Sequence, residues 1–434
     1  MTAASAVETV FRMESARIIA GVARIVRDVG IAEELAQDAL VAALEQWPES
    51  GVPDNPGAWL MATARHRAVD LVRRRETYAR KLAEMGRDPD GPGHAPEPVP
   101  ADPDDIDDDL LRLIFTSCHP VLSTEARIAL TLRLLGGLTT EEIARAFLAT
   151  EPAVAQRIVR AKRTLGRAAV PFEVPYGPER AARLGSVLEV IYLVFNEGYA
   201  ATAGDDWLRP GLCEDALCLA RVLAGLMPQE PEVHGLAALL ELQASRTTAR
   251  TGPDGAPVLL ADQNRARWDR LLIRRGLAAL LRASETANRA ADRNAGTGAA
   301  TAGQALGPYA LQAAIAACHA RAARYEDTDW AAIAALYDRL AALTPSPVVE
   351  LNRAVAVSMA EGPAAGLALA DALAADPALK AYHLLPSVRG DLLVRVGRTD
   401  EARAEFVRAA ELTRNQRERA MLLDRAAHLD RGGR

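Results

Sequence analysis

The amino-acid sequence predicts an all-α protein with two small helical domains, an acidic linker between them and a large helical C-terminal region. Aromatic residues make up only 4% of the 434 residues, which disfavours a large β-sandwich or barrel because strands rely on aromatic and β-branched side chains. The composition instead favours Ala, Leu, Arg and Glu, which are good helix formers. Half of the residues are apolar and a quarter are charged, as in a soluble globular protein of two to four domains.

The net charge of the chain says little about its function, but the distribution of charge along the chain is informative. Lys and Arg total 51 against 57 Asp and Glu, for a net charge of −6, so no overall basic field attracts nucleic acid. Residues 86–109 contain one arginine and nine acids, whereas residues 123–169 contain eight basic and four acidic residues. The pattern predicts an acidic, flexible linker followed by a basic module.

Several classes of protein are disfavoured by the sequence. The four cysteines form no CxxC pair and are predicted to be buried free thiols. The first residues do not resemble a signal peptide, and no apolar stretch approaches the ~20 residues of a membrane span. We therefore expect a cytoplasmic protein without membrane contact. No nucleotide-binding GxxxxGK[ST] motif, metal-ligand pattern or catalytic constellation is evident, so we expect no cofactor, no metal and no enzymatic activity.

The first helices are predicted from apolar spacing. Apolar residues recur at helical intervals over residues 18–29, and Gly30 is predicted to end that helix. The pattern continues over residues 32–47. Three prolines within residues 48–56 predict a loop, and a third helix is predicted to begin near Pro56.

Residues 138–165 predict two short helices joined by a turn. Thr139 and Glu142 form a capping-box pattern, and Thr150 is placed to cap the second helix. The buried stripe of that helix is predicted to be Val154, Ile158, Ala161 and Leu165. Its other faces present Gln156, Arg157, Arg160 and Arg163. This layout is typical of a helix-turn-helix whose second helix enters the major groove. An αα-hairpin with a solvated basic face is the alternative.

The predicted third helix is strongly basic. It contains Arg65, Arg67, Arg73 and Arg74, and Trp59 lies near its start. A basic helix with an aromatic residue at one end suits melted or single-stranded DNA, on whose bases the aromatic ring can stack. The apolar neighbours of Trp59 favour core packing as the alternative.

The C-terminal region suggests degenerate helical repeats. Gly397, Ala402, Phe406 and Ala409 have the spacing of a tetratricopeptide (TPR) helix pair, and a poorer copy begins 35 residues earlier at Gly362. A plain helical bundle is the alternative, because alanine matches are frequent in so alanine-rich a chain.

Taken together, these units resemble a known family. Residues 8–84 resemble region 2 of bacterial sigma-70 family transcription factors, and residues 107–169 resemble region 4. The absence of a region 3 between them is typical of the extracytoplasmic-function group. The matching stretches are residues 32–48, 55–75 and 129–165. Residues 192–201, 262–270, 307–320 and 346–357 resemble the subgroup with a TPR-like C-terminal extension. The predicted domains are residues 1–85 (region 2), 86–106 (linker), 107–170 (region 4) and 171–434 (extension).

The resemblance implies roles for individual residues. The helix over residues 32–47 corresponds to the one that docks on the clamp of core RNA polymerase, and region 4 implies contact with the polymerase flap. The implied clamp contacts are Glu34, Leu35, Gln37, Asp38 and Val41. The loop that captures a flipped −10 base corresponds to Asp54 and Asn55. Trp59, Arg65, Arg67, Arg73 and Arg74 correspond to the helix facing the melted −10 region, and Gln156, Arg157, Arg160 and Arg163 to the −35 helix.

Two departures from the family pattern concern promoter reading. His66 lies where many relatives have Asn, and Ala153 and Ala155 lie where relatives often have polar residues. Phosphate contacts are therefore expected to contribute strongly beside base readout.

The resemblance predicts an alternative sigma factor that binds core polymerase and promoter DNA and promotes DNA melting. The extension would be regulatory, either as a brake or as a required partner or polymerase contact. The acidic linker would thread toward the polymerase active centre or act as a solvated spacer. The main alternative is a helix-turn-helix regulator with a TPR protein-interaction module that binds duplex DNA without polymerase.

Overall fold

The computed structural model describes residues 3–84, 104–147, 149–201, 203–204, 207–253, 255–294 and 306–432. The chain divides into two compact units, Met1–Ile191 and Tyr192–Arg434. The all-α prediction is confirmed, since the described residues form α-helices, short 3-10 helices and one pair of two-residue strands. Most of the predicted acidic linker lies outside the described residues. No helix in the described ranges is both long enough and apolar enough to cross a bilayer.

The first unit consists of seven helices and most of an eighth within the ranges described. They are α1 (Ala3–Val26), α2 (Val29–Ser50), α3 (Pro56–Glu84), α4 (Asp104–Ser117), α5 (Thr124–Leu134), α6 (Thr140–Ala146), α7 (Glu151–Arg167) and α8 (Gly177–Tyr199). The helices α1–α3 pack on one another and form the N-terminal module, and α4–α7 form the helix-turn-helix module. α1 also packs on α4, so the two modules are in contact within this unit.

The turn between α1 and α2 corrects the prediction that Gly30 ends the first helix. α1 ends at Val26, and Arg27 takes the positive φ of 53° that reverses the chain. The Asp28 carboxylate then accepts hydrogen bonds from the backbone N–H groups of Gly30 and Ile31, at 2.8 and 3.0 Å. Gly30 therefore lies in the first turn of α2, because Asp28 supplies the N-cap.

The other predicted helix starts agree with the structure in most respects. α3 begins at Pro56, as expected. α2, however, continues through Pro48 to Ser50, so the predicted loop over residues 48–56 is wrong for its first three residues. Both hydrogen bonds of the capping box between Thr139 and Glu142 are formed at the start of α6. Thr150 occupies the N-cap position of α7 but makes no side-chain capping bond, which corrects the expected role of its hydroxyl.

The first part of α8 completes the core of the helix-turn-helix module. The Ser186 hydroxyl donates to the Cys118 carbonyl oxygen at 2.6 Å, and the Arg127 guanidinium donates to Ser186 and to Glu189. Arg183 lies over the Phe115 ring, 6.0 Å from its centroid. Leu184, Val187 and Leu188 are buried in the same unit. A fragment ending at residue 170, the predicted domain boundary, would lack these contacts.

The second unit contains the helices α9–α18 and one pair of strands among its described residues. They are β1 (Ala203–Gly204), α9 (Pro210–Leu226), α10 (Pro231–Ala244), α11 (Arg270–Asn294), α12 (Pro308–Arg321), α13 (Trp330–Leu343), α14 (Pro347–Ala360), α15 (Pro363–Ala372), α16 (Leu384–Arg395), α17 (Thr399–Leu412), β2 (Arg414–Asn415) and α18 (Gln416–Gly432). From α12 onward, each α-helix packs on the next along the chain. β1 and β2 are parallel and join the two ends of the unit.

The residues that suggested a helical repeat lie in the turn between α16 and α17 and in the buried face of α17. Gly397 has a positive φ of 82° at the turn between these helices, a conformation that favours glycine. Ala402, Phe406 and Ala409 are buried on α17. The TPR-like architecture remains a prediction, but these positions have the packing role that the spacing predicts.

The cysteines are buried only in part. Cys118 and Cys213 are buried as predicted, and burial raises the pKa of their thiols to about 11 and about 12. Cys318 is half-buried and Cys218 is exposed. The prediction of buried thiols is therefore wrong for Cys218, which lies on the outer face of α9.

Gly390 on α16 tests how closely the C-terminal helices pack. A Cβ atom at this position would lie 2.7 Å from the Phe406 ring, whereas one at Gly225 on α9 would meet no atom within 4 Å. We expect Gly390→Ala to lower the free energy of unfolding by about 1–3 kcal/mol. Gly225→Ala should change it little or raise it, because alanine favours helix. Urea denaturation followed by circular dichroism measures both, and equal effects would contradict close packing at Gly390.

His319 on α12 makes the second unit sensitive to acid. Its ring packs edge-to-face on Trp330, with centroids 5.2 Å apart. Burial lowers the pKa of His319 to about 4, and the charges of Arg246 and Arg265 add to the effect. The folded form therefore keeps the ring neutral while the unfolded form binds a proton below about pH 6.5.

We expect stability to fall progressively as the pH drops from about 6.5 to about 4, by on the order of 2–3 kcal/mol from this group. His319→Phe should remove this part of the pH dependence while keeping an aromatic ring in place. The exposed His66→Phe is the control. Thermal denaturation across this pH range gives the comparison, and parallel curves for wild type and His319→Phe would refute the assignment.

Candidate nucleic-acid interface

The start of α3 shapes the loop that precedes it. The Asn55 side-chain oxygen accepts a hydrogen bond from the Ala58 backbone N–H at 3.1 Å, so Asn55 acts as the N-cap of α3. Asp54 and Asn55 are both exposed. The cap holds the Asn55 carboxamide at the surface of the loop, where its amide nitrogen can reach another molecule.

Trp59 lies one turn further along α3 and packs against the core. Its ring meets that of buried Trp47 edge-to-face, with centroids 5.5 Å apart and planes inclined by 70°. Trp59 itself is half-buried. The geometry places it in an aromatic pair of the N-terminal module, as the core alternative expects, and its stacking on a DNA base remains a prediction.

The four predicted arginines of α3 differ in their surroundings. Arg73 and Arg74 are exposed on the second half of the helix. Arg67 forms an ion pair with Asp38 of α2, with the charged atoms 3.5 Å apart. Arg65 is half-buried, and its guanidinium lies beside Gly21 of α1. The outer half of α3 therefore presents the exposed positive charge.

α2 presents an exposed face beside this basic helix. Val41 and Leu44 are 50% and 43% exposed, and they lie three residues apart on one side of α2. Glu34 and Asp38 are exposed, whereas Leu35 and Gln37 are half-buried. Three of the five predicted polymerase contacts, Glu34, Asp38 and Val41, are thus exposed on one helix, with apolar and acidic groups side by side.

α7 has the buried stripe that its sequence predicts. Val154, Ile158, Ala161 and Leu165 are all buried. Gln156, Arg160 and Arg163 are exposed on other faces, and Arg157 is half-buried. The turn before α7 is held by a hydrogen bond from the Thr140 hydroxyl to the Glu151 carboxylate at 3.0 Å. The helix pair has the layout of a helix-turn-helix.

The polar side chains of α7 border two different grooves. Gln156, Arg157 and Arg160 line a cleft of about 430 Å³ beside Ala126 of α5 and its N-cap residue Ser123. At the start of α5, the backbone N–H of Glu125 and the Ser123 hydroxyl lower the pKa of the Glu125 carboxyl. The positive charge of Arg157 on α7 adds to the effect. Arg163 instead lines a wider groove of about 550 Å³ on the opposite flank of α7.

The second groove lies between the two modules. Besides Arg163 and Val159 of α7, it is lined by Gly30, Ile31 and Glu34 of α2. A predicted DNA contact, Arg163, and a predicted polymerase contact, Glu34, therefore border the same groove. The sequence gives no indication of this proximity.

One carboxylate, on Glu33 of α2, links the modules at this groove. Glu33 is 5% exposed. Its carboxylate is 2.6 Å from the Arg133 guanidinium of α5 and also pairs with the Lys162 ammonium of α7. The Gln37 amide donates to the same carboxylate at 3.1 Å. We call Glu33, Gln37, Arg133 and Lys162 the Glu33 cluster.

A second buried carboxylate supports the same contact. Asp109 of α4 is fully buried, and its oxygens lie 3.3 Å from Arg24 of α1 and 2.6 Å from Arg112. Buried charges are costly unless they are paired, so both carboxylates favour the arrangement in which the modules touch. Neither Glu33 nor Asp109 belongs to a recognisable sequence motif, so the sequence alone does not predict that they link the modules.

No group of three or more His, Cys, Asp or Glu side chains that could hold a metal ion occurs among the residues described. The candidate site thus consists of cationic and hydrogen-bonding groups on two helices, together with an apolar and acidic surface on a third. Such groups are of the kind that contact phosphates, base edges and protein surfaces.

Family models match three stretches of the chain. Residues 10–77 match Sigma-70 region 2, and residues 112–165 match Sigma-70, region 4. Residues 183–284 match a family of unknown function, DUF6596. All the predicted DNA and polymerase contacts fall within the first two stretches.

Similar proteins support the same relationship. The chain is 30% identical over 146 residues to the ECF RNA polymerase sigma factor SigK of Mycobacterium sp. (strain KMS), covering 33% of this chain and 72% of that protein. It is 42% identical over 421 residues to Uncharacterized protein R00370 of Rhizobium meliloti (strain 1021), covering 94% and 92% of the two chains. The chain therefore belongs to the sigma-70 family, in its extracytoplasmic-function (ECF) group, and has a large C-terminal extension.

Glu33 provides a direct test of the contact between the modules. Glu33→Gln keeps the shape of the side chain but leaves Arg133 and Lys162 without a counter-charge. We expect it to lower the stability of the first unfolding transition in urea by about 1–3 kcal/mol. The neighbouring exposed Glu34→Gln is the matched control and should change stability by less than about 0.5 kcal/mol. Equal effects of the two substitutions would show that the contact does not depend on Glu33.

Proposed function

We propose that this chain is an alternative sigma factor that binds core RNA polymerase, recognises −35 and −10 promoter elements and promotes DNA melting. The observation that carries the proposal is that each sigma region presents one helix with exposed cationic side chains. α7 offers Gln156, Arg157 and Arg160, and α3 offers Arg73 and Arg74. Its action is binding and base capture rather than bond-making.

α7 acts as the −35 helix in this proposal. Its buried stripe packs into the helix-turn-helix module and leaves Gln156 and Arg160 exposed. Arginine recognises guanine edges and phosphates, and glutamine recognises adenine. Since Ala153 and Ala155 add no hydrogen-bonding groups near the start of α7, phosphate contacts contribute much of the affinity.

α3 and its preceding loop act on the −10 element. Asn55 uses its side-chain oxygen to cap α3, which leaves its amide nitrogen to donate to an extruded base. Asp54 is exposed beside it, and Arg73 and Arg74 bind the phosphates of the opened strand. Arg65 and Arg67 are half-buried. In this proposal they contact DNA only after α1 and α2 shift and expose them.

α2 contributes the polymerase surface. Val41 and Leu44 supply exposed apolar area, and Glu34 and Asp38 supply negative charge beside it. An apolar centre with charged neighbours is the usual composition of a protein interface. The polymerase clamp is its proposed partner, and region 4 contacts the flap.

The contact between the modules represents a resting arrangement in this proposal. The −35 and −10 elements lie on the order of 80 Å apart along duplex DNA. In the structure, Glu33 of α2 pairs with Lys162 of α7. Simultaneous reading of both elements therefore requires the Glu33 cluster to open when the chain engages polymerase and promoter.

Multi-round transcription with purified core polymerase and a promoter library tests the proposal. Arg160→Ala and Asn55→Ala should each lower promoter-specific transcription by about tenfold, since each removes a DNA contact. The matched control is Arg145→Ala, because Arg145 is exposed on α6 and pairs with Glu141. It should leave transcription nearly unchanged.

Two outcomes would contradict the proposal. If the full chain does not bind core polymerase, it is not a sigma factor. If it binds specific duplex DNA tightly without polymerase, the helix-turn-helix regulator is the better account.

The C-terminal extension has a regulatory role in this proposal. Truncation after Tyr199 keeps α8 whole, including its contacts with Phe115, Cys118 and Arg127. Higher transcription from the truncated chain would identify the extension as a brake, whereas loss of transcription would identify it as a required partner or polymerase contact.

A further inference from the structure

The second unit contains a cavity of about 170 Å³ among its helices. Its lining consists of Tyr192, Phe195, Asn196, Tyr199, Leu239, Gln243, Gln312, Ile315, Tyr337 and Asn352. We propose that this cavity binds a compact, uncharged small molecule that carries a carboxamide-like hydrogen-bonding group on a flat ring. Such a molecule would be a ligand of the extension, separate from DNA and polymerase.

The cavity is built from one face of each of several helices. Residues 192, 195, 196 and 199 are spaced i, i+3, i+4 and i+7, so they share one face of α8. Leu239 and Gln243 lie one turn apart on α10, and Gln312 and Ile315 one turn apart on α12. Side chains from one face each of α8, α10 and α12 therefore converge on the cavity.

Aromatic and aliphatic side chains form one wall of the cavity. The rings of Phe195 and Tyr199 are stacked, with centroids 5.5 Å apart and planes inclined by 18°. Phe195 is 1% exposed, and Leu239 and Ile315 are also buried. The Arg250 guanidinium lies 3.5 Å from the centroid of the Tyr199 ring, so a ligand ring gains mainly from burial against Phe195, Leu239 and Ile315.

The polar groups around the cavity are held in fixed roles. The Tyr192 hydroxyl donates to the Gln312 side-chain oxygen at 3.2 Å, and the Gln312 amide nitrogen donates to the Pro308 carbonyl at 3.3 Å. The Arg246 guanidinium donates to the Tyr199 hydroxyl at 2.6 Å. Tyr199 therefore keeps its own proton to donate, while the oxygen of Tyr192 can still accept.

Gln243 is the clearest sign of a ligand. Its side-chain oxygen is buried and accepts no hydrogen bond from any residue that the structure describes. A buried acceptor without a partner costs about 1–3 kcal/mol. A ligand that donates to Gln243 and accepts from Tyr199 would satisfy both groups, and a carboxamide does both at once.

The lining also determines the charge of the ligand. All ten lining residues are neutral in their ordinary forms, since they comprise amides, phenols and apolar groups. Burial raises the pKa of Tyr337 to about 12, so its phenol is protonated at neutral pH. Arg246 and Arg250 contact Tyr199 but do not line the cavity. A carboxylate or ammonium group inside it would therefore lose its hydration without gaining an ionic partner among the lining residues.

The volume limits the ligand to about one ring with a small substituent. A cavity of about 150 Å³ accommodates benzene, and pockets for drug-sized molecules have volumes of about 300–1,000 Å³. Asn352 is exposed on α14 at the rim, so it provides a second amide at the entrance. Together, size, charge and hydrogen bonding define the class of ligand.

Nicotinamide is a suitable probe, because it joins an aromatic ring to a carboxamide and is uncharged at pH 7. Nicotinate has the same ring with a carboxylate and is the matched control. We expect saturation-transfer NMR with the full chain to detect nicotinamide, with a dissociation constant on the order of 1 mM. Nicotinate should give no signal under the same conditions.

Two substitutions connect binding to the cavity. Gln243→Leu should weaken nicotinamide binding by about tenfold or more. Asn352→Ala, at the exposed rim, should weaken it less and should not disturb folding, which circular dichroism checks. Gln229→Leu lies at an exposed position outside the cavity and should leave binding unchanged.

The proposal would be overturned by three results. If nicotinamide does not bind at tens of millimolar, the proposed ligand class is wrong. Equal binding of nicotinate would refute the proposed selection against charged ligands. Binding that persists unchanged in folded Gln243→Leu and Asn352→Ala would place the probe elsewhere on the chain.

Discussion

The carboxylate of Glu33 lies where three helices of the first unit meet, and it links the two sigma regions. Arg133 and Lys162 approach it from α5 and α7, while Gln37 donates from its own helix. A buried carboxylate requires such partners because water no longer solvates it. Separating the modules would expose all three charges to water again, which lowers the cost of opening.

α7 serves two purposes because a helix has more than one face. Lys162 and Arg163 lie toward α2, whereas Gln156, Arg157 and Arg160 line the cleft beside α5. The same helix can thus hold region 2 on one flank and offer hydrogen-bonding groups on the other. Opening of the Glu33 cluster would release Arg163 and Glu34 together, since both line the groove between the modules.

Local sequence patterns predicted the helices well and the tertiary contacts poorly. The capping box of Thr139 and Glu142 and the buried stripe of α7 were correct because each depends on neighbours within one or two turns. Gly30 was misjudged because the Asp28 cap and the positive φ of Arg27 decide where α1 ends. Glu33 and Glu34 are adjacent and chemically identical, so only tertiary packing distinguishes the buried residue from the exposed one.

The two units differ in the physical character of their candidate sites. Charged groups dominate the first, where arginines on α3 and α7 suit a polyanion. The cavity of the second combines residues from α8, α10 and α12 that lie up to about 120 positions apart, as between Tyr192 and Gln312. No local pattern could reveal that combination. Its neutral amides and phenols offer a phosphate no ionic partner within the lining, so the proposed ligand differs in chemistry from promoter DNA. A regulatory extension that senses a small neutral molecule is consistent with both observations.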